Sequence, residues 1–223
     1  MAVGNDLVDL ADPFARRKGA CRRYASRVLG PRELEWWERS GDAAPLLWTL
    51  WSVKEAAYKA FGKITGPIPF LPKTMVVMEK PAEGLREIRG IAETPWGRAV
   101  FRSLRREDCI HTLCAPAWDD VLDETRWHVA ETAPGGDGSR EVRRTAERAL
   151  ARHLGVNEKD IRVLRDCGAG TSPAPRVFLG QRELPADLSL SHDGRYVAWA
   201  FRTAVRRRDL HRGFSARNGA PMV

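Results

Sequence analysis

Residues 46–61 read LLWTLWSVKEAAYKAF, and this stretch decides how the rest of the chain is interpreted. At about 100° per residue, a helix would gather the larger apolar side chains of this stretch on one arc. Those side chains belong to Leu50, Trp51, Ala57, Tyr58 and Phe61. The pattern predicts a long helix that buries this arc in a core. We expect it to end near Gly62, because glycine is common just after a helix C-terminus.

Lys54 falls in the middle of the apolar arc, whereas Glu55 and Lys59 lie at its edge, four positions apart. An exposed Glu–Lys pair at this spacing contributes only about 0.3–0.5 kcal/mol, and that is the ordinary interpretation of the motif. A lysine inside an apolar arc indicates more, because a buried ammonium group needs an anionic partner. That partner could be a ligand phosphate, or the Lys54 side chain could extend to the surface.

Length and composition define the class of protein. The chain has 223 residues, 43% of them hydrophobic, and a mean hydropathy of −0.41, values typical of a soluble globular protein. It lacks the run of about 18 apolar residues that a membrane span needs. Its N-terminus has neither the basic nor the apolar region of a secretory signal. The four cysteines form no C-x-x-C pair. We therefore expect a cytoplasmic protein without a zinc site or a disulfide framework.

The charge balance favours an anionic partner. Lysine and arginine number 37 against 29 acidic residues, which gives a net charge of +8. Nucleic acid, a phosphorylated ligand and an acidic protein would all satisfy this balance. Aromatic residues do not interleave the basic stretches, which argues against a platform for single-stranded nucleic acid.

Asp6 is an acidic residue in residues 3–10, VGNDLVDL, which otherwise read as an apolar strand. A lone aspartate there is more often a strand-end or capping residue. However, Mg²⁺ is usually held by one or two carboxylates together with substrate phosphates and water. Asp6 and Glu55 could form such a pair if the helix packs across the strand.

Ser191 and His192 precede a turn predicted at residues 193–194, inside the strand–turn–strand pattern of residues 188–201. A histidine beside a strand end is more often structural than catalytic. The two side chains together can nevertheless donate two hydrogen bonds to a phosphate. The sequence contains neither a hydrolase triad order nor a G-x-S-x-G motif.

A second helix is predicted over residues 140–154. Arginines recur on one of its faces at every fourth position, and a further arginine adjoins them: Arg140, Arg144, Arg148, Arg152 and Arg143. Apolar residues line the opposite arc. Most such faces are simply solvated, but a phosphate-binding role for one or two of these arginines is the alternative.

The order of elements is the same in both halves of the chain: a strand, a helix and then several strands. This order predicts an α+β fold in which two similar lobes pack together. We place the lobes at residues 1–124 and 125–205. Residues 206–223 are basic and lack apolar periodicity, so we expect a loose tail.

Taken together, these segments resemble the 4′-phosphopantetheinyl transferase superfamily. GNDLVDL at residues 4–10 is similar to the family's G-x-D strand, and RVLGPREL at 27–34 to the segment that follows it. LWSVKEAAYKAFGK at 50–63 is similar to the W-x-x-K-E-x-x-x-K helix, and LSLSHDGRYVAWAF at 188–201 to the Ser-His strand pair. Short, trimeric holo-acyl-carrier-protein synthases have this motif order. The longer surfactin-synthetase-activating type has two fused lobes in the opposite order. The resemblance therefore implies a monomeric pseudo-dimer with permuted lobes.

The resemblance also implies an activity. Members of the family transfer the 4′-phosphopantetheine arm of coenzyme A to a serine of an apo acyl, peptidyl or polyketide carrier protein, releasing adenosine 3′,5′-bisphosphate. Such modification serves fatty acid, polyketide or nonribosomal peptide biosynthesis. Asp6 and Glu55 match the ligands of Mg²⁺, for which Mn²⁺ could substitute. Glu55 and Lys59 match the catalytic residues.

Residues that match the family's coenzyme A contacts come from both halves of the chain. They are Lys54, Lys59, Arg143, Arg176, Ser191 and His192. Arg176 stands near the place of a Gly-Lys-Pro segment of the long type, where it could replace the lysine. The long type also has a second acid two residues after the first, and this chain has Val8 there.

Carrier proteins of this kind present acidic helices around the target serine. The basic stretch after the first strand offers candidates for docking them: Arg16, Arg17, Arg22 and Arg23. Ordinary solvated charge is the other interpretation of each arginine. Two rival functions also stay open, an inactive relative that binds carrier proteins and a nucleic-acid-binding protein.

Overall fold

The computed structural model describes residues 2–119, 121–133, 135–165 and 174–205. The predicted basic tail at 206–223 lies outside these residues. The described residues have the α+β composition that the sequence predicts, with antiparallel pairing between neighbouring strands. None of the described helices is long and apolar enough to cross a membrane. Cys21, Cys109 and Cys114 are free thiols.

The N-terminal part of the chain forms a five-stranded sheet and four helices. Its helices are α1 (Pro13–Gly19), α2 (Arg22–Val28), α3 (Pro31–Glu38) and α4 (Ala43–Thr65). Its strands are β1 (Gly4–Asp9), β2 (Val76–Val77), β3 (Glu87–Thr94), β4 (Gly97–Arg105) and β5 (Cys109–Pro116). The strand order is β1-β5-β4-β3-β2, so β1 is an edge strand.

The C-terminal part contains one long helix and two three-stranded sheets. Its elements are β6 (Arg126–Glu131), α5 (Gly138–Leu154), β7 (Ile161–Leu164), β8 (Arg176–Leu179), β9 (Arg182–Leu184), β10 (Ala186–Asp193) and β11 (Tyr196–Thr203). One sheet has the order β10-β11-β6 and the other β7-β8-β9. As in the N-terminal part, the first strand pairs with the last, β6 with β11 as β1 with β5. This correspondence supports the pseudo-dimer prediction.

Alternation along β1 arranges the core in four layers, helix, sheet, sheet and helix. Val8 packs with Trp48 of α4, whereas Val3 and Leu7 pack against β11, because successive strand residues face opposite sides. Gly4 faces α4 at very close range. A Cβ atom there would lie 1.9 Å from the Ala56 carbonyl oxygen, so the glycine of the G-x-D motif lets the strand and helix backbones touch.

The outer face of the second sheet is covered by α5. The helix contributes the buried apolar side chains Val142, Ala146, Leu150, Ala151 and Leu154. They pack with residues of the two strands β10 and β11, among them Leu188 and Phe201. The predicted apolar arc of this helix therefore faces the core, and the arginine face points away from it.

The two sheets are joined through β1 and β10. Three backbone amides of β1 or its N-terminal neighbour donate to side chains 184 positions later in the chain. The pairs are Val3 with Asp187, Asn5 with Ser189 and Asp9 with Asp193. The constant offset means that β1 and β10 run side by side in parallel, with side chains in place of a backbone ladder.

Some element predictions were wrong in detail. Helix α4 continues through Gly62 to Thr65, because the position before Pro67, rather than Gly62, disfavours helical backbone. Strands β3 and β9 were not predicted. β3 reads EIRGIAET, with side chains mostly exposed or half-buried, so it lacks the apolar periodicity that marks a strand.

Candidate active site

A groove of about 770 Å³ runs along α4, between the β1 edge and the hairpin of β10 and β11. Side chains at three- and four-residue intervals give α4 one face toward it, from Trp48 through Glu55 and Lys59 to Lys63. At 1.5 Å per residue, this face is about 22 Å long. Asp6 of β1 lies on the α4 side, next to Lys59, whereas Ser191 and His192 of β10 lie on the opposite wall. The fold therefore brings together five of the residues that the sequence singled out.

Asp6 occupies the floor of the groove and is 7% exposed. Its Oδ1 accepts hydrogen bonds from Lys59 Nζ at 2.9 Å and from Ser191 Oγ at 3.3 Å. Its Oδ2 is buried and accepts no hydrogen bond from the part of the chain that the structure describes. A buried carboxylate oxygen without a partner is costly unless something else binds it.

Glu55 adds a second carboxylate to the same wall, one helical turn before Lys59. Burial and, to a smaller extent, the charge of Asp6 raise the pKa of Glu55 to about 7 against the opposing effect of Lys59. The two carboxylates are therefore close enough to repel each other. A divalent cation would reduce this repulsion and would also bind the buried Asp6 Oδ2.

The donor set fits a hard cation that keeps part of its own hydration. Mg²⁺ is commonly bound by one or two carboxylates, with waters and substrate phosphates completing the shell. Among residues 2–119, 121–133, 135–165 and 174–205, no three histidine, cysteine or acidic residues form a ready-made cluster for a metal ion. Val8 presents an apolar side chain to the groove where a further acid would extend the set.

Lys59 connects the two walls of the groove. Its Nζ donates to the Asn5 carbonyl oxygen at 3.0 Å, to Asp6 Oδ1 at 2.9 Å and to Ser191 Oγ at 3.4 Å. The lysine is 28% exposed, so its ammonium group also faces the groove. Lys59 thus holds Asp6 and presents positive charge where an anionic ligand would lie.

His192 stands at the end of the groove nearest α5. Burial lowers the pKa of His192, and the positive charges of Arg165 and Lys59 lower it further. A Cβ atom on Gly138, at the start of α5, would lie 3.1 Å from the His192 ring. The imidazole therefore packs against the N-terminus of this helix, whose amides favour negative charge.

Arg165 is a groove residue that the sequence analysis missed. It follows β7, lines the groove and acts electrostatically on His192. Burial lowers the pKa of Arg165, and the nearby charge of Arg143 lowers it further. Arginine directly after a strand was its only signal, which is too common in this chain to single out one residue.

A model of the 4′-phosphopantetheinyl transferase superfamily matches residues 2–114. The chain belongs to this superfamily. The match includes Asp6, Glu55 and Lys59, whereas Ser191 and His192 lie beyond it. No curated protein sequence matches the chain.

Lys54, expected at a ligand phosphate, does not line the groove of this phosphopantetheinyl transferase. Its side chain is fully buried and forms an ion pair with Glu33 of α3. Lys54 also donates to the Val28 carbonyl oxygen at 3.0 Å. Glu33 in turn accepts from the amides of Gly30 and Val77. The required anion is thus supplied by the protein, and Lys54 joins helices instead of binding coenzyme A.

Two other residues predicted to contact coenzyme A, Arg176 and Arg143, do not line the groove of the transferase. Arg176 pairs with Glu183 and stacks over Phe178 on β8 and β9, and it does not line the groove. This position does not support its predicted replacement of the family lysine. Arg143 donates to Ser139 Oγ at 3.3 Å and acts electrostatically on His192, so it lies behind the groove wall.

The other half of the groove is aromatic. Phe14 of α1, Tyr24 of α2 and two residues of α4, Trp48 and Trp51, line it. Neighbouring rings have centroids 5.7–6.4 Å apart. The groove of the transferase is therefore charged at one end and apolar at the other, with the Asp6–Glu55 pair between them.

The four arginines predicted to dock a carrier protein lie on α1 and α2, and all four are exposed. Arg22 pairs with Glu38 at 2.7 Å. Phe14 and Ala15 of α1 line the groove, which places Arg16 and Arg17 at its rim. The position suits a docking role, which stays a prediction.

Proposed function

We propose that this phosphopantetheinyl transferase moves the 4′-phosphopantetheine arm of coenzyme A to a serine of an apo acyl, peptidyl or polyketide carrier protein, using Mg²⁺ and releasing adenosine 3′,5′-bisphosphate. The observation that supports it most is the Asp6–Glu55 pair, in which the buried Asp6 Oδ2 has no hydrogen-bond partner among the described residues, in a groove with cations on one side. Mn²⁺ has the same preference for oxygen ligands and could replace Mg²⁺.

The cationic end of the groove suits the phosphates of coenzyme A. Lys59, Arg165 and His192 face it, and Ser191 adds a hydroxyl group. Arginine and lysine bind phosphate oxygens through charge-assisted hydrogen bonds. A groove lined by fixed positive charges would orient the pyrophosphate and screen its repulsion of an incoming nucleophile.

Asp6 and Glu55 would hold the metal ion, with Lys59 fixing the Asp6 carboxylate. A bound Mg²⁺ supplies charge neutralisation on the pyrophosphate oxygens. In the transfer, the serine oxygen bonds to the phosphorus that bears pantetheine, and the bond from that phosphorus to the nucleotide phosphate breaks. The serine proton passes to Glu55 or to a water that Glu55 orients, since a carboxylate beside the reacting groups can act as a general base.

The aromatic half of the groove would take the uncharged pantetheine arm. Trp48 and Trp51 come before Glu55 on α4, whereas Lys59 follows it. The arm therefore extends from the reacting phosphorus toward α1 and α2. The carrier protein would approach from the same side, across the basic rim formed by Arg16 and Arg17. Attraction to acidic carrier helices would weaken as salt is added.

Intact-mass spectrometry of apo carrier proteins tests this proposal. Purified protein, coenzyme A and Mg²⁺ are mixed with a panel of fatty acid, polyketide and peptide synthetase carriers. We expect one phosphopantetheine on at least one carrier, and loss of the reaction when a chelator is added. Coenzyme A binding by calorimetry without transfer to any carrier would instead indicate an inactive, carrier-binding relative.

A further inference from the structure

A reciprocal set of hydrogen bonds joins the end of β1 to the turn between β10 and β11. The Asp9 amide donates to Asp193 Oδ2 at 2.8 Å. In return, the Asp9 carboxylate accepts from the Arg195 amide at 3.0 Å and from Arg195 Nε and Nη2 at 2.9 Å each. We call Asp9, Asp193, Gly194 and Arg195 the turn hook.

Gly194 makes this approach possible. Its φ is +50°, and a Cβ atom at this position would lie 2.5 Å from Asp9 Oδ2. A larger residue would therefore push the Asp9 carboxylate away from the turn and strain the backbone. The backbone of the turn therefore packs directly against the Asp9 side chain of the other sheet.

The Asp9 side chain is 1% exposed, whereas the Arg195 side chain is 49% exposed. A buried carboxylate that accepts two charged N–H donors of Arg195 and the backbone amides of Arg195 and Ala11 is held in a single arrangement. The outer edge of Arg195 also contacts Asp108, which is 39% exposed. Neither Asp9 nor Arg195 lines the groove, so any effect they have on the reaction is transmitted through other residues.

The turn hook fastens the same two strands that carry the site. Ser191 and His192 come directly before the turn on β10, and Asp6 lies three residues before Asp9 on β1. The contacts between the walls at the site itself are long, 3.3 Å from Ser191 Oγ to Asp6 and 3.4 Å from Lys59 to Ser191. Short, charged bonds between the walls lie in the hook and also at the other end of β10, where Asp187 accepts from Lys63 of α4 and from the Val3 amide. The hook is the set that is nearest in sequence to Ser191 and His192.

We infer that Asp9 and Arg195 are positioning residues for phosphopantetheinyl transfer, because the turn hook holds His192 and Ser191 of one sheet against Asp6 of the other sheet and Lys59 of α4. The inference rests on the proposed function, since coenzyme A would bridge these walls. Loss of the hook lets the hairpin move away from β1. Coenzyme A binding then weakens, while the Asp6–Glu55 pair and α4 stay in place.

Arg195→Gln is the most informative variant, because Arg195 is half-exposed and its loss leaves no cavity. We expect the KM for coenzyme A to rise about tenfold and kcat to change less than about threefold, as for loss of one coupled contact. Arg195→Lys, which keeps the charge without the fork, should recover part of the affinity.

Two variants serve as matched controls. Arg202→Gln removes an arginine at the far end of the same strand, where it pairs with Glu124. Asp108→Asn removes only the outer partner of Arg195. Both should leave the KM for coenzyme A within about twofold of wild type, because neither ion pair joins β1 to the turn.

Hydrogen exchange of residues 186–203 gives a readout independent of activity. Faster exchange in Arg195→Gln than in Arg202→Gln, together with the raised KM, supports the inference. An unchanged KM for coenzyme A, or equal losses in both arginine variants, would overturn it. A wild-type protein that neither binds coenzyme A nor modifies a carrier overturns the proposed function. In that case exchange still shows whether the hook restrains the hairpin.

Discussion

At the scale of single residues, the groove explains why some of the predicted site residues meet and others do not. Asp6, Glu55, Lys59, Ser191 and His192 share it. Each was marked by a polar group in an apolar element or beside a turn, which is a local signal. Such signals indicate that a side chain has a structural or functional role, but they do not identify the groups that it contacts.

Lys54 illustrates that limit. The sequence correctly predicts that its buried ammonium group needs an anion, yet the anion is Glu33, 21 positions earlier. Only the packing of α3 against α4 brings the two together. For the two arginines the prediction failed differently. Arg165 lines the groove but was not predicted, whereas Arg176 was predicted and does not line it.

The arginine assignment is testable in one pair of variants. Arg165→Gln should raise the KM for coenzyme A about tenfold or more, because it removes a charged donor from the groove. Arg176→Gln should leave this KM within about twofold, because Arg176 pairs with Glu183 of the neighbouring strand, outside the lining of the groove. Steady-state kinetics at varied coenzyme A give both values. The opposite ranking would contradict the assignment.

At the scale of elements, the apolar periodicity of α4 and α5 was sufficient to predict both helices and the buried face of α5. On α4, Leu50, Ala57 and Phe61 are buried as predicted, whereas Trp51 and Tyr58 line the groove. Element ends were less certain, as the extension of α4 through Gly62 shows. Strand β3 was invisible because its side chains are largely solvated. A strand near the edge of the sheet, such as β3, can form through backbone hydrogen bonds to β4. Such hydrogen bonds leave no pattern in the sequence.

The buried Lys54–Glu33 pair should hold α3 to α4. Lys54→Met leaves Glu33 buried without its cation, which we expect to cost about 3–5 kcal/mol in the free energy of unfolding. The double variant Glu33→Gln/Lys54→Met should recover part of that loss, because no unpaired charge remains. Urea denaturation followed by circular dichroism measures each value.

Lys80→Met is the matched control for that prediction. Lys80 pairs with Glu83 at the surface, where both side chains are more than a third exposed, and such pairs are worth less than about 1 kcal/mol. If Lys54→Met proved no less stable than Lys80→Met, the structural role assigned to the buried pair would be wrong.

At the scale of the whole molecule, the repeated order of strand, helix and strands predicts two lobes, and the structure shows two helix-covered sheets facing each other. The superfamily match ends at residue 114. The assignment of the second half to the same fold therefore rests on its own strand order and on the Ser191–His192 motif. The monomeric, permuted pseudo-dimer stays a prediction.

The junction between the sheets should be sensitive to acid. His111 of β5 is buried, with its ring 5.4 Å from that of Trp127 and its Nε2 3.3 Å from Asn5 Nδ2. Burial, aided by nearby positive charges, lowers the pKa of His111 to about 3. The unfolded chain binds this proton near pH 6.5 and the folded chain does not. The contribution of neutral His111 to the free energy of unfolding is therefore fully present above that pH and is lost as the pH falls below it.

Between pH 6.5 and pH 5, this one group should lower the free energy of unfolding by about 2 kcal/mol. Urea denaturation of wild type and His111→Gln at several pH values measures the difference in slope. His128→Gln is the control, since His128 is exposed on β6. Identical pH slopes in wild type and His111→Gln would show that the junction does not depend on a neutral His111.

The most direct test of the account follows both products of one reaction, the modified carrier by mass and free adenosine 3′,5′-bisphosphate by chromatography. Wild type with Mg²⁺ should release one nucleotide for each carrier modified. Glu55→Gln, although folded, should slow both products at least about a thousandfold, since it removes a metal ligand and a base. Glu35→Gln, an exposed residue paired with Arg39, should behave as wild type. Equal turnover by Glu55→Gln, or undiminished turnover with a chelator present, would contradict the assignment of the Asp6–Glu55 pair as the centre of this transferase.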